Sequence, residues 1–189
     1  MSFEDYKTKE SVVIVYTGEG KGKTSAAVGL MARALGSGLS VAFIQFIKHW
    51  NVGEHAFIYK IERLYGNKLL LYKGGRGFYK AKDLSAEGVS DAEHKLSAKK
   101  TYEFAYKATQ SGKYDLVICD EINNAVHANL IPKTAIKKLI KERSPKTSLC
   151  LTGRDFPKDY LALVDIATNM TKIKHHFDDK FLANKGIDF

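Results

Sequence analysis

VVIVYTGEGKGKTSAAVGLMARAL, residues 12–35, is the stretch whose reading decides the fold. An apolar, β-branched run from Val12 to Val15 stops at a glycine-rich loop, Thr17 to Gly22. Lys23, Thr24 and Ser25 follow, and then a segment rich in alanine and leucine, both strong helix formers. Strand, loop and helix with GKT at the junction is the setting that a phosphate-binding P-loop requires. Glycines let successive backbone N–H groups turn inward without a Cβ clash, and the helix N-terminus adds partial positive charge facing the anion. Gly18, Glu19, Gly20, Lys21, Gly22, Lys23, Thr24 and Ser25 are therefore the candidate nucleotide-binding residues. Lys23 places an ammonium between the outer phosphates, and Thr24 offers a hydroxyl to Mg²⁺ or Mn²⁺. One departure stands out. The first glycine of G-x-x-x-x-G-K-[ST] falls at Thr17, so Gly18 and Gly20 supply the flexibility and Lys21 adds a second cation.

A second stretch, YDLVICDEIN at 114–123, is an apolar strand ending in two acids. Downstream of a P-loop this matches a Walker B element, in which Asp120 holds Mg²⁺ directly or through water. Glu121 sits where P-loop ATPases keep a general base. Between these stretches Leu39 to Ile47 reads as a buried strand, His55 to Tyr65 as a short helix and Lys68 to Tyr72 as another strand. Lys48, His49 and Trp50 mark a loop, with His49 read as an ordinary loop histidine. KGGRGFYKAK, 73–82, is glycine-rich, basic and aromatic without core periodicity; it is either a plain mobile loop or a lid over a ligand. Ser90 to Glu93 is a capping box opening a helix through Lys107, with Leu96, Tyr102, Phe104 and Tyr106 available to pack, and Gly112 ends it. Thr147 to Thr152 is a strand followed by Gly153 and Arg154, which places that arginine at the ligand crevice beyond the strand ends. Pro157 to Val164 reads as helical, and Ile166 to Ile173 as an edge strand. Strands alternating with helices predict an α/β fold with a doubly wound, mostly parallel sheet.

At 189 residues the chain fits a single domain spanning 1–189, with the polar residues 1–11 as an arm. That arm has no apolar h-region, and no apolar run approaches the roughly 20 residues of a membrane span. The net charge of +9 raises nucleic acid as a partner. Its distribution argues against this, because Lys133, Lys137, Lys138, Lys141, Arg143 and Lys146 surround one helix, between Pro132 and Pro145, whose buried stripe is Ile136, Leu139 and Ile140. A solvated helix face explains them. Cys119 and Cys150, each within an apolar strand-like run, suit core packing in a reducing, cytoplasmic compartment.

TGEGKGKTSAAVGLMARALG, VAFIQFIK, VICDEIN, LTGR and the closing IKHHFDDKFLANKGIDF resemble, in order and spacing, the P-loop corrinoid adenosyltransferases. The resemblance runs from about Val13 to Phe189. It implies a RecA-type fold, ATP with Mg²⁺, usually a homodimer, and an electron-donor flavoprotein as partner. The implied reaction moves the 5′-deoxyadenosyl group of ATP onto the cobalt of a reduced corrinoid and releases triphosphate. Lys23, Glu121 and Phe78 are then the catalytic candidates, Arg154 joins the nucleotide site, and Thr24, Asp120 and Glu121 hold the metal. Family members often carry phenylalanine and tryptophan two apart in a GFxW loop, linked to excluding the lower axial ligand of cobalt. Here Phe78 is kept, Lys80 replaces the tryptophan, and Tyr79 or Trp50 are the aromatics that could assist. The competing classes are a P-loop ATPase driving a nucleic-acid or protein partner and a nucleotide-binding regulator without turnover.

Overall fold

The computed structural model describes residues 4–77, 79 and 88–188. Each apolar run read as a strand forms one: β1 Val13–Thr17, β2 Val41–Gln45, β3 Leu69–Lys73, β4 Leu116–Asp120, β5 Ser148–Thr152 and β6 Ile166–Asn169. They make one sheet of six strands in the order β3-β2-β4-β5-β1-β6. Every pairing is parallel. Helices α1 Lys23–Gly36, α2 Gly53–Tyr65, α3 Asp91–Gln110, α4 Ile122–His127 and α5 Thr134–Glu142 lie between them in the chain.

A parallel sheet covered on both faces needs strands that are apolar nearly throughout. β2 and β4 are buried at every position. The pleat sends alternate residues to opposite faces, and the core divides accordingly. Val13, Val15, Ala42, Ile44, Val117, Cys119, Leu149 and Leu151 pack with Ala105, Ile122, Ile136 and Leu139 of α3, α4 and α5. Ile14, Val41, Phe43, Leu116, Ile118 and Cys150 pack with Ala27, Met31 and Leu35 of α1 and Ile58 of α2. Both cysteines are buried free thiols.

Local signals explain the helix ends. Ser90 caps α3 with a full capping box: its hydroxyl accepts the Glu93 N–H at 3.3 Å, and its own N–H donates to Glu93 Oε2 at 2.8 Å. Tyr102, Phe104 and Tyr106 pack against the core, but Leu96 is 52% exposed. The buried stripe of α5 is Ile136, Leu139 and Ile140, as its periodicity predicts. Its lysines are partly engaged within the molecule. Lys133 pairs with Asp159 at 2.6 Å and lies over the Tyr160 ring, while Lys138 lies over Tyr106.

Two further expectations change. The helix expected at Pro157–Val164 is a 3₁₀ segment, Lys158–Leu163. The strand expected to reach Ile173 ends at Asn169, because the next residue turns into the P-loop: Met170 N–H donates to Thr17 O at 2.7 Å and its carbonyl accepts the Gly20 N–H at 2.6 Å. All four β6 residues are exposed, so the alternation there does not separate a core face from a solvent face.

Candidate active site

In sheets of this kind ligands bind beyond the carboxyl ends of the strands, near the point where strand order reverses. β1, β4 and β5 deliver their last residues there side by side. The loop after β1 is pressed onto the segment that follows β6. A Cβ on Gly18 would lie 2.5 Å from Met170 O, and Gly18 has φ +99°, so glycine is required there. Gly22, also with positive φ, forms the N-terminal boundary of α1. Lys23 Nζ curls back over the loop and donates to Gly18 O at 2.7 Å and Gly20 O at 2.6 Å. Burial, followed by the Arg154 charge, lowers its pKa, so this ammonium lacks a full counter-charge where phosphates would supply it. Lys21, Glu19 and Ser25 are exposed around the loop. Arg154 reaches the same loop from β5, its Nη1 lying 3.3 Å from Glu19 Oε2.

The acids lie next to the loop. Asp120, fully buried at the end of β4, accepts three side-chain hydrogen bonds: from Thr24 Oγ1 at 3.1 Å, Gln45 Nε2 at 2.7 Å and Thr152 Oγ1 at 2.5 Å. Glu121 has left-handed backbone, φ 61°, and its N–H donates to Thr152 Oγ1 at 2.9 Å. A non-glycine residue held in that region marks a constrained site. Its Oε2 is shielded from solvent and has no hydrogen-bond partner among the described residues. Burial pushes the Glu121 carboxyl up to about 7, and repulsion from Asp120 adds to this. Burial raises Asp120 too, opposed by Lys48 and by its hydrogen-bond donors. Three side-chain donors point at Asp120 and, among the described residues, none at Glu121 Oε2, so of the two carboxyls Glu121 is the one whose protonated form its surroundings favour. Thr24, Asp120 and the unsatisfied Glu121 oxygen are hard oxygen donors of the kind that suits Mg²⁺.

The model of the family described as ATP:corrinoid adenosyltransferase BtuR/CobO/CobP matches residues 9–189. The chain belongs to this family. A corrinoid adenosyltransferase of Sinorhizobium is 33% identical over 186 residues, covering 97% of this chain and 83% of that protein. The corrinoid adenosyltransferase of Escherichia coli K12 is 29% identical over 182 residues, covering 96% and 87%. Among solved structures, the flagellar accessory protein FlaH of Methanocaldococcus jannaschii superposes with a TM-score of 0.52 at 14% identity, covering 85% of this chain and 71% of that one. That likeness concerns the fold alone.

As a member of the adenosyltransferase family the chain needs room for a second substrate, and a loop pair at the neighbouring strand ends forms a wall beside the acids. After β2 the chain runs through Ile47, Lys48, His49 and Trp50; after β3 it runs through Gly74 to Gly77. The two are stitched together, with Gly74 N–H donating to Gln45 O at 3.0 Å and Gly77 N–H to Ile47 O at 2.9 Å. A Cβ on Gly75 would lie 2.0 Å from Ile47 O, so the loops touch backbone to backbone. His49 is exposed, with its ring edge-on to Trp50 at 6.0 Å. Tyr79 stacks obliquely on His94 and donates to Asp91 Oδ2 at 3.0 Å. Phe78 and Lys80 lie outside the described residues.

Three site residues escape sequence reasoning. Gln45 and Thr152 hold Asp120, and the half-buried Lys48 pairs with Glu54 at 2.8 Å. Burial opposes the Lys48 charge, yet Glu121, Asp120 and Glu54 together raise its pKa. A glutamine inside the apolar run VAFIQFI is the signal that could have found Gln45, since a buried amide in a central strand needs a partner.

Proposed function

We propose that this chain transfers the 5′-deoxyadenosyl group of ATP to the cobalt of a reduced corrinoid, cob(I)alamin or cob(I)yrinic acid a,c-diamide, and releases triphosphate. The observation that carries this reading is the Thr24–Asp120–Glu121 constellation beside Lys23, in a chain matched by the family model from residue 9 to 189. The electron pair of Co(I) attacks C5′ of ATP and forms the Co–C bond. The C5′–O bond breaks and its electrons leave on the triphosphate. Charge therefore develops on the leaving group, where Lys23, Lys21, Arg154 and the loop N–H groups at the start of α1 stabilise it. Gly18, Glu19, Gly20, Gly22 and Ser25 shape that cradle. Mg²⁺, held by Thr24, Asp120 and Glu121, would neutralise further phosphate charge when bound. Co(I) needs no base, so Glu121 serves as metal ligand or orienting group. On the corrinoid side Phe78 is the candidate for excluding the lower axial ligand.

The same reading makes 1–189 one functional domain, active in the reducing cytoplasm that buried free thiols suit. It makes the chain a homodimer, for which the exposed β6 edge offers a surface, and it assigns the reducing electron to a flavoprotein. The rival reading, an ATPase coupled to another macromolecule, draws support from Glu121, since a carboxyl near 7 suits a general base for water. Product analysis decides between them. Incubation with ATP, Mg²⁺ and chemically reduced cobalamin should yield triphosphate and adenosylcobalamin in equal amounts. ADP and phosphate, unchanged by omission of the corrinoid, would establish the ATPase instead.

A further inference from the structure

The tail after β6 folds into a compact knot beside the P-loop. Asp178 N–H donates to His175 O at 3.0 Å, Phe181 N–H to His176 O at 3.2 Å, and Asp188 N–H to Asn184 O at 3.1 Å. Asn184 N–H returns to Asp188 Oδ1 at 2.6 Å. These turns bring one ligand atom from each of His175, His176 and Asp188 together, all within 4.8 Å of one another. His175 Nε2 and His176 Nε2 lie 3.7 and 3.4 Å from Asp188 Oδ2. Those separations are long for hydrogen bonds. They are close to the roughly 3.3 Å edge of a tetrahedron with metal–ligand bonds of about 2.0 Å. His176 Nε2 and Asp188 Oδ2 are also shielded from solvent and have no hydrogen-bond partner among the described residues.

We propose that His175, His176 and Asp188 form a binding site for a divalent transition metal of the zinc type, with a fourth position left for water. Two imidazoles and a carboxylate suit Zn²⁺ or Co²⁺ and discriminate against Mg²⁺, which prefers an all-oxygen shell. The site is separate from Thr24, Asp120 and Glu121 and does not depend on adenosyl transfer. Its effect would be mechanical. Lys21 Nζ donates to the backbone carbonyl of Asp188 at 3.0 Å, so a metal on the Asp188 carboxylate fastens the tail onto the P-loop. The ligands are not equal. Phe177 N–H donates to His175 Nδ1 at 3.0 Å, which leaves the neutral ring proton on Nε2. Coordination through His175 Nε2 moves that proton to Nδ1 and gives up the Phe177 bond. His176 and Asp188 carry no such cost.

The test uses the untagged full chain, Co²⁺ as an optical probe and Zn²⁺ in equilibrium dialysis against excess Mg²⁺. Wild type should bind one Zn²⁺ per chain and give the intense visible band of tetrahedral Co²⁺. His176→Ala and Asp188→Asn should lose both, His175→Ala should weaken binding without abolishing it, and Asp120→Asn should keep the band. Far-UV circular dichroism verifies that each variant is folded. Zn²⁺ should also slow tryptic cleavage at Lys180 and Lys185 in wild type and not in Asp188→Asn. Absence of Zn²⁺ binding in wild type, or binding undiminished in both His176→Ala and Asp188→Asn, overturns the assignment.

Discussion

Replacing Glu121 by glutamine keeps the shape of the side chain and removes its charge, which isolates the electrostatics of the acid pair. Burial and Asp120 raise the Glu121 carboxyl from 4.5 to about 7. That rise corresponds to about 3 kcal/mol between its protonation states. Because the folded-state pKa is raised, the proton stabilises the fold fully below about pH 4.5, and that stability is lost as pH rises through about 7. The glutamine variant has no such loss. Chemical denaturation across pH 4 to 8 without divalent cations should therefore show the two proteins converging at the acid end. At the alkaline end the variant should be the more stable by up to about 3 kcal/mol. Mg²⁺ should reverse the order near neutrality, because it binds the ionised carboxylate of wild type and has one fewer ligand in the variant. Adenosylation should fall without a new limb in its pH profile. Parallel stability curves for the two proteins would refute the reasoning, since Glu121 would then titrate alike in the folded and unfolded chains.

Lys23→Ala should abolish turnover and weaken ATP binding with the fold retained; wild-type kinetics in the folded variant would remove Lys23 from the site. Phe78→Ala should impair adenosylation far more when cob(II)alamin must be reduced in place than when cob(I)alamin is supplied, with ATP affinity unchanged. Equal losses in the two assays would make Phe78 a packing residue and shift attention to Trp50 or Tyr79. Gly75→Ala puts a Cβ into Ile47 O and forces the two loops apart, so KM for the corrinoid should rise while the Kd for ATP stays constant. A rise in both would mean that the loops serve the nucleotide as well.

The phosphate half of the site was legible because its chemistry is written locally. Val13 to Thr24 forms strand, turn and helix start by its own preferences, which is the pattern a phosphate-binding loop requires. Asp120 was legible for a similar reason, as an acid closing an apolar run. What could not be read is what reaches these residues from afar. Gln45, Thr152 and Asp120 belong to three different strands, and only the sheet order makes them neighbours. The lysines of α5 illustrate the same limit: periodicity identified the buried stripe, but not that Lys133 finds Asp159 and Tyr160. β6 stops early because Met170 is drawn to Thr17 and Gly20, more than a hundred residues upstream, and a local pattern carries no trace of that contact.

The two halves of the site meet at one side chain. Gln45 is the last residue of β2 and stands in register with Asp120 on β4. Its Nε2 donates to Asp120 Oδ2 at 2.7 Å, and its Oε1 accepts the Ile47 N–H at 3.2 Å. The Ile47 carbonyl in turn accepts the Gly77 N–H at 2.9 Å, next to Phe78 in the chain. A fully buried amide, satisfied at both ends, thus links the carboxylate assigned to the metal with the loop assigned to the corrinoid. An acid there would repel Asp120, and an apolar residue would leave both the carboxylate and the Ile47 N–H short of a partner. Two reactants must be held in fixed relation for an in-line attack on C5′, and rigid elements do this better than free loops. Gln45 supplies that rigidity, because the position of the loop is tied to the carboxylate through a strand end in the middle of the sheet.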